Sequence, residues 1–303
     1  MTLGKKIIYD FKLNKFKYLM ILPVIVFLIL FCYKPMYGLI IAFQRYRPSL
    51  GITRSSWVGF DNFARFMNDI NFWRVVRNTF SISLLSIVFS FPMPILLAIL
   101  LNEVKCSWFK RTVQTISYLP HFIAMVVVCG LIKQFCQSSG IINDIIVFCG
   151  GERTNLLLES KLFYLIYIIS DIWKEVGWNS IIYLAALSGI DQSLYEAARV
   201  DGAGRIKQMR YITLPGLLPT ISMLLVLKLG SVLGVGMEKI LLLYNEMTYD
   251  VADVISTYVF RRGIGGADYS YSTAIGLFNS IVNIIFLVTA NKLSKRLGQS
   301  GLF

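Results

Sequence analysis

Six stretches of this chain, residues 18–43, 72–101, 111–135, 161–188, 216–243 and 273–291, are apolar over a length that matches the hydrocarbon of a bilayer, which takes about 20 helical residues to cross. Nothing else in the sequence restricts the fold as strongly. Lipid offers backbone groups no partner, so only helices or closed barrels can span it. Barrel strands would appear as segments of about ten residues with alternating polarity; Ile221-Ser222-Met223-Leu224-Leu225-Val226-Leu227 is continuous instead. The expected class is an all-α membrane protein with six transmembrane helices. Composition agrees, since 56% of the 303 residues are hydrophobic, 16% are charged and mean hydropathy is +0.63, too few charges to coat a soluble globule of this size.

Basic residues set the orientation. Cytoplasmic termini would place Lys5, Lys6, Lys12, Lys15, Lys17, Lys105, Lys110, Arg111, Arg199, Arg205, Lys207, Arg210, Lys292, Lys295 and Arg296 inside, and fewer outside, among them Arg45, Arg47, Arg54, Arg65, Arg74 and Arg77. Cytoplasmic loops carry the Lys/Arg excess, so both termini are expected in the cytoplasm. A net charge of +13 would suggest nucleic acid for a soluble protein. Here it lies largely in short cytoplasmic pieces, where it orients the chain and meets anionic lipid. The first apolar stretch, about 25 residues long without a small-x-small site, exceeds the roughly 7–15 residues of a signal peptide's apolar region and reads as an uncleaved span.

Five cysteines, Cys32, Cys106, Cys129, Cys136 and Cys149, form no CxxC pair. Free thiols packed as small apolar groups are expected, with neither a disulfide framework nor a zinc site. The single histidine, His121, adjoins Pro120 and reads as a packed or kink-associated residue. No catalytic residue and no metal site is expected.

Three regions follow. Residues 1–71 comprise a cytoplasmic N-terminus, the first span and an extracytoplasmic loop, Gln44 to Asn71, whose aromatic residues suit the membrane surface. Residues 72–292 form a five-helix core, and 293–303 a cytoplasmic tail. Within the core, 189–215 breaks the apolar pattern. Asp191 can cap a short helix carrying Leu194, Ala197 and Ala198 on one face; Asp201-Gly202 stops it, because glycine takes the left-handed conformation freely. A second helix from about 204 to 213 carries Ile206, Met209 and Ile212, and Pro215 opens the fifth span. The result is an elbow with an alanine-lined surface.

This elbow resembles the EAA loop of the membrane subunits of ATP-binding cassette importers: Glu196, Ala197 and Ala198, three residues, Gly202, nine residues, then Ile212-x-Leu214-Pro215. Tyr118-Leu119-Pro120-His121-Phe122, Ile172-Trp173-Lys174 with Gly177-Trp178, and Thr257-Tyr258-Val259-Phe260-Arg261-Arg262-Gly263 are similar to segments of the carbohydrate- and polysaccharide-uptake permeases. Gly204 and Met209 depart from the commoner serine and aromatic; glycine still caps and methionine still fills an apolar pocket. The resemblance implies a MetI-like type I importer core. It also implies a cytoplasmic ATPase docking on the elbow through Glu196, Ala197, Ala198, Asp201, Gly202 and Ala203, and a second permease, expected to be a paralogue. An extracytoplasmic binding protein would deliver a sugar or oligosaccharide. No Gly-x-x-x-x-Gly-Lys-Ser/Thr run occurs, so no cofactor is expected in this chain, with ATP and Mg bound by the ATPase. The implied location is the bacterial cell membrane.

Ionisable groups in mid-span point to function. Asp171, Lys174, Glu175 and Trp178 fall on one helical face, where a carboxylate can accept sugar hydroxyls and an indole can stack on a ring. An internal Asp171–Lys174 ion pair explains the same residues equally well. Lys228 lies near the middle of the fifth span, and Glu238 and Lys239 are expected at the outer interface. Asn279 and Asn283 share a face of the sixth span, suited to substrate or to helix–helix hydrogen bonds, and Gly230 and Gly234 suit close helix packing. An amino-acid or peptide permease would share the elbow. A gradient-driven transporter would leave the elbow unexplained, and a membrane scaffold would not need the mid-span charges.

Overall fold

Proline places the bends in these helices. The computed structural model describes residues 13–296 with Gly298 and Gly301; the expectations for Lys5, Lys6, Lys12 and residues 297, 299, 300, 302 and 303 fall outside them. The principal helices are α1 (Lys15–Phe43), α2 (Asp61–Met67), α3 (Phe72–Glu103), α4 (Ser107–Tyr118), α5 (Met125–Cys136) and α6 (Ile141–Phe148). They are followed by α7 (Ser160–Ser188), α8 (Gln192–Val200), α9 (Arg205–Leu229), α10 (Met237–Leu243), α11 (Ile255–Phe260) and α12 (Tyr269–Arg296). Wide π turns at Leu28–Tyr33, Ser86–Ser90 and Met209–Thr213 each end two residues before a proline, Pro35, Pro92 or Pro215. Proline lacks the N–H that would pair with the carbonyl four residues back, and its ring crowds that oxygen. Widening the preceding turn relieves both faults without ending the helix.

The chain divides into two compact units, one holding the described residues to Asn68 with Arg262–Leu277, the other running from Asp69 to Arg261 and resuming at Phe278. In the first unit α1 buries almost nothing between Lys15 and Met36, as suits a helix that is apolar all round and faces lipid. The loop after it is more ordered than its composition suggests. Two short strands, β1 (Gln44–Arg45) and β2 (Ser56–Trp57), pair antiparallel, a departure from the all-α expectation. The Asn62 amide on α2 donates to the carbonyls of Ala42 and Gln44, 2.9 and 3.0 Å. Arg65 pairs with Asp268 at 2.9 Å and lies over the Tyr271 ring. No periodicity announces a two-residue strand.

In the second unit α7 is the central post, packing along Pro92–Glu103 of α3, along α4 and along Leu214–Leu229 of α9. Ala98, Ile99, Tyr183, Leu187 and Leu217 form one core cluster; Ile82, Phe163, Tyr167, Ile168, Ile240 and Leu243 belong to another. Gly177 permits the closest approach, since a Cβ there would fall on the Ser117 carbonyl of α4. The collision is with backbone, which cannot swing aside. Gly177→Val is therefore expected to abolish recovery of folded protein in detergent, while Gly276→Ala, where a Cβ meets nothing within 4 Å, keeps its yield; equal size-exclusion peaks for the two would remove the packing argument.

Five stretches among the described residues have the length and hydropathy of membrane spans: Lys15–Phe43, Phe72–Glu103, Met125–Phe148, Arg205–Leu229 and Tyr269–Arg296. Met125–Phe148 is not a straight crossing, because a turn at 137–140 separates α5 from α6 and only glycine fits at 140 against the carbonyl of Phe135. Conversely α7 has 29 residues, about 43 Å of helix, but the charges of Asp171, Lys174 and Glu175 lower its hydropathy. Three sequence boundaries need correction. The expected span 111–135 is two helices, α4 and α5, interrupted at 119–124 around Pro120. The expected span 216–243 unwinds at 230–236, between α9 and α10. The second helix of the elbow does not stop before Pro215 but continues as α9, through the π turn described above.

Candidate functional site: a capped elbow and two charged cavities

Both ends of α8 are closed by local chemistry. Asp191 accepts the Ser193 backbone N–H at 2.9 Å, the usual N-cap bond. That bond, with one from the Ser193 side chain, holds the Asp191 carboxyl below the usual range, so a full negative charge stands at the positive end of the helix. At the other end Gly202 has φ +72°. The Gly202 N–H donates to the Arg199 carbonyl at 3.0 Å and the Ala203 N–H to the Ala198 carbonyl at 2.8 Å. These two bonds constitute a Schellman motif with glycine in the left-handed position. Gly204 then caps α9, and the Gln208 amide donates to the Ala203 carbonyl at 2.7 Å. Tyr195 and Thr213 join the two arms, hydroxyl to hydroxyl at 3.0 Å.

The elbow so fixed presents its surface outward. No residue of α8 is buried; Glu196, Ala197, Asp201 and Gly202 are exposed, and Ala198 and Ala203 are half-buried. Leu194, Val200, Ile206 and Tyr211 are exposed apolar side chains on the same structure. A cluster of this kind on an otherwise polar segment marks an interaction surface.

Two cavities, about 400 and 280 Å³, lie among α3, α7 and the α9–α10 break. The larger is lined by Ser90, Phe91, Asp171, Glu175, Asn179 and Tyr183 among others, the smaller by Ser83, Tyr167, Glu238 and Lys239, and both reach Asp171, Lys228 and Ser231. The α7 quartet therefore splits. Asp171 and Glu175 line the larger cavity, joined by Asn179 one turn on. Asn179 was missed in the sequence, although it extends the Asp171–Glu175 row at four-residue spacing. Lys174 and Trp178 are absent from both linings.

Lys174 serves the broken helix. Only 6% exposed, its ammonium donates to the carbonyls of Pro120, His121 and Ile123 at 3.3, 2.8 and 3.1 Å, where the interruption before α5 ends the regular helical pairing; the Pro120 carbonyl also accepts the Ile123 N–H at 3.2 Å. It also lies 3.7 Å from Glu175. His121 sits at the kink, as its neighbour Pro120 suggested, but its Nδ1 is 2.8 Å from Glu175 and its ring stacks on Trp178 at 4.4 Å. The anticipated Asp171–Lys174 pair does not form, and the partner of Asp171 is Lys239, at 3.6 Å. Lys239 is enclosed by the protein. It is 3% exposed, donates to the Tyr167 carbonyl at 2.8 Å and lies over the Tyr167 ring. The break at 230–236 starts a new helix, so the phase of α9 no longer tells where Lys239 faces.

Asn279 and Asn283 hold that break. Asn283 accepts the Leu233 N–H at 2.9 Å and Asn279 donates to the Leu233 carbonyl at 3.5 Å; the Ser83 hydroxyl donates to the Val232 carbonyl. Unwound backbone within a membrane needs such substitutes. Gly230, where the unwound stretch begins, packs against Leu287, where a Cβ would come within 2.7 Å, whereas a Cβ on Gly234, within the stretch, would meet only Ser231.

An interrupted bundle around polar cavities, with an exposed rigid elbow, defines a membrane transport subunit that works against a partner. Comparison with known proteins specifies which. Residues 90–299 match the family described as the binding-protein-dependent transport system inner membrane component, and the chain belongs to that family. It is 44% identical, over 99% of its length and 94% of the relative's, to the polygalacturonan/rhamnogalacturonan transport system permease protein YteP of Bacillus subtilis (strain 168). A chain in the crystal structure of a bacterial ABC transporter that imports the acidic polysaccharide alginate is 45% identical with a TM-score of 0.90, the match covering 97% of this chain and all of that one. A second structure, of the bacterial alginate ABC transporter with its alginate pentasaccharide-bound periplasmic protein, matches at 44% identity and TM-score 0.90 over the whole of both chains.

Proposed function

We propose that this chain is one of two permease subunits of an ATP-binding cassette importer for oligosaccharides that carry uronic acids, delivered by an extracytoplasmic binding protein. The elbow carries the reading. A helix closed at both ends, tied back by Tyr195 and Thr213 and running directly into α9, is built to pass a push into the span whose far end lines the cavities. In this reading the chain crosses the membrane six times with both termini and the elbow in the cytoplasm. A separate ATPase holding ATP and Mg docks on Glu196, Ala197 and Ala198, with Asp201, Gly202 and Ala203 setting the angle. Asp171, Glu175 and Asn179 face substrate, while Lys174, Trp178, Asn279 and Asn283 keep the broken helices in shape. The relatives that support the saccharide class transport polygalacturonan, rhamnogalacturonan or alginate, all rich in carboxylates.

The test is uptake of a uronate oligosaccharide by proteoliposomes containing this chain, its partner permease, the ATPase and the binding protein. Uptake should require both binding protein and internal ATP and should fall severalfold in Asp171→Asn. Uptake driven by a proton or sodium gradient alone would show a secondary transporter instead.

A further inference from the structure

The charges along the two cavities are not equally occupied. Asp171 is matched by Lys239 at 3.6 Å, and Glu175 by His121 at 2.8 Å and Lys174 at 3.7 Å. Glu238 borders the smaller cavity only. Lys228 borders both, is exposed, and has no ion pair or side-chain hydrogen bond among the described residues. Among the described residues it is the only cation lining the larger cavity. The carboxylates there already have cations behind them, so the group left to attract a passing ligand is positive.

Its place suits a saccharide. Ser90, Asn179 and Ser231 supply hydroxyl and amide groups around the same cavity, and Phe91 and Tyr183 supply flat apolar faces. Lys228 lies two residues before the unwound stretch at 230–236, so movement of α9 relative to that stretch would displace its ammonium. We infer that Lys228 is the specificity-determining residue of the pathway, holding one substrate carboxylate as it passes between the two cavities and so favouring uronate-bearing over neutral saccharides. The inference rests on the saccharide reading above. The competing explanation is purely structural: Lys228 stands in the last turn of α9, where a cation suits the negative end of the helix.

Proteoliposomes of the complete importer separate the two, with trigalacturonate and its methyl-esterified counterpart as probes. If Lys228 reads the carboxylate, Lys228→Met lowers trigalacturonate uptake at least tenfold, leaves the methyl ester at the wild-type rate, and Lys228→Arg restores most of the loss. Equal losses for both probes, or no loss for either, overturn the inference, the first in favour of the structural role. If wild-type importer moves neither probe, the saccharide reading fails and the inference fails with it.

Discussion

Gly202→Val is expected to leave the permease folded and in the membrane while cutting saccharide uptake and substrate-stimulated ATP hydrolysis at least tenfold. A Cβ at this position meets nothing within 4 Å, so the damage is to the backbone and not to packing. A β-branched residue at φ +72° costs about 1–3 kcal/mol, and relief comes only by opening the two bonds from Gly202 and Ala203 that end α8. About 1.4 kcal/mol is already a tenfold shift between closed and opened forms. Gly202→Asn, which tolerates the left-handed region far better, should keep most of the activity. The measurement is uptake and ATP hydrolysis in proteoliposomes matched for permease content. Normal coupling in the valine variant would mean that force does not enter through the elbow.

Lys174→Met should cost more stability than any neutral replacement along the cavities. Three carbonyls, of Pro120, His121 and Ile123, lose their common donor; Pro120 keeps the Ile123 N–H, so His121 and Ile123 bear the loss. An orphaned buried acceptor costs about 1–3 kcal/mol; removing the buried ammonium's own desolvation offsets part of the total. A net loss of about 3 kcal/mol lowers the midpoint of thermal unfolding by roughly 6–12 °C for a domain of 150–250 residues. Asn179→Ala, exposed in the cavity wall and without a helix break to support, should shift it by less than about 2 °C. Tryptophan fluorescence or a thiol-reporter melt in detergent reads both. Equal midpoints for the two variants would show that water, and not Lys174, serves those carbonyls.

The elbow was legible because its determinants are local. Asp191 caps, Gly202 ends the helix, and the spacing from Glu196 to Pro215 needs no distant residue to make sense. The cavity was legible only in part. A four-residue spacing puts Asp171 and Glu175 together, and would have found Asn179, but grouping them with Lys174 and Trp178 treated one broad helical face as a single surface. The neighbours divide that face: the carbonyls at the Pro120 break draw Lys174, and His121 draws Trp178 and Glu175. The burial of Lys239 against Asp171 was missed for a related reason. Extrapolating α9 through Gly230 assumed a helix that unwinds where Asn279, Asn283 and Ser83 are available to take its backbone groups. The β1–β2 pair was missed because two residues carry no measurable alternation.

By itself the sequence determined the solvent, the helical class, and the capped elbow, since hydropathy and capping act over a few residues and survive any arrangement of the rest. Tertiary structure decided which ion pairs form, where the helices break, and which cation is left facing the cavities. Those outcomes depend on which donors and acceptors meet in a medium that supplies none of its own, and that pairing joins residues as far apart as Asp171 and Lys239.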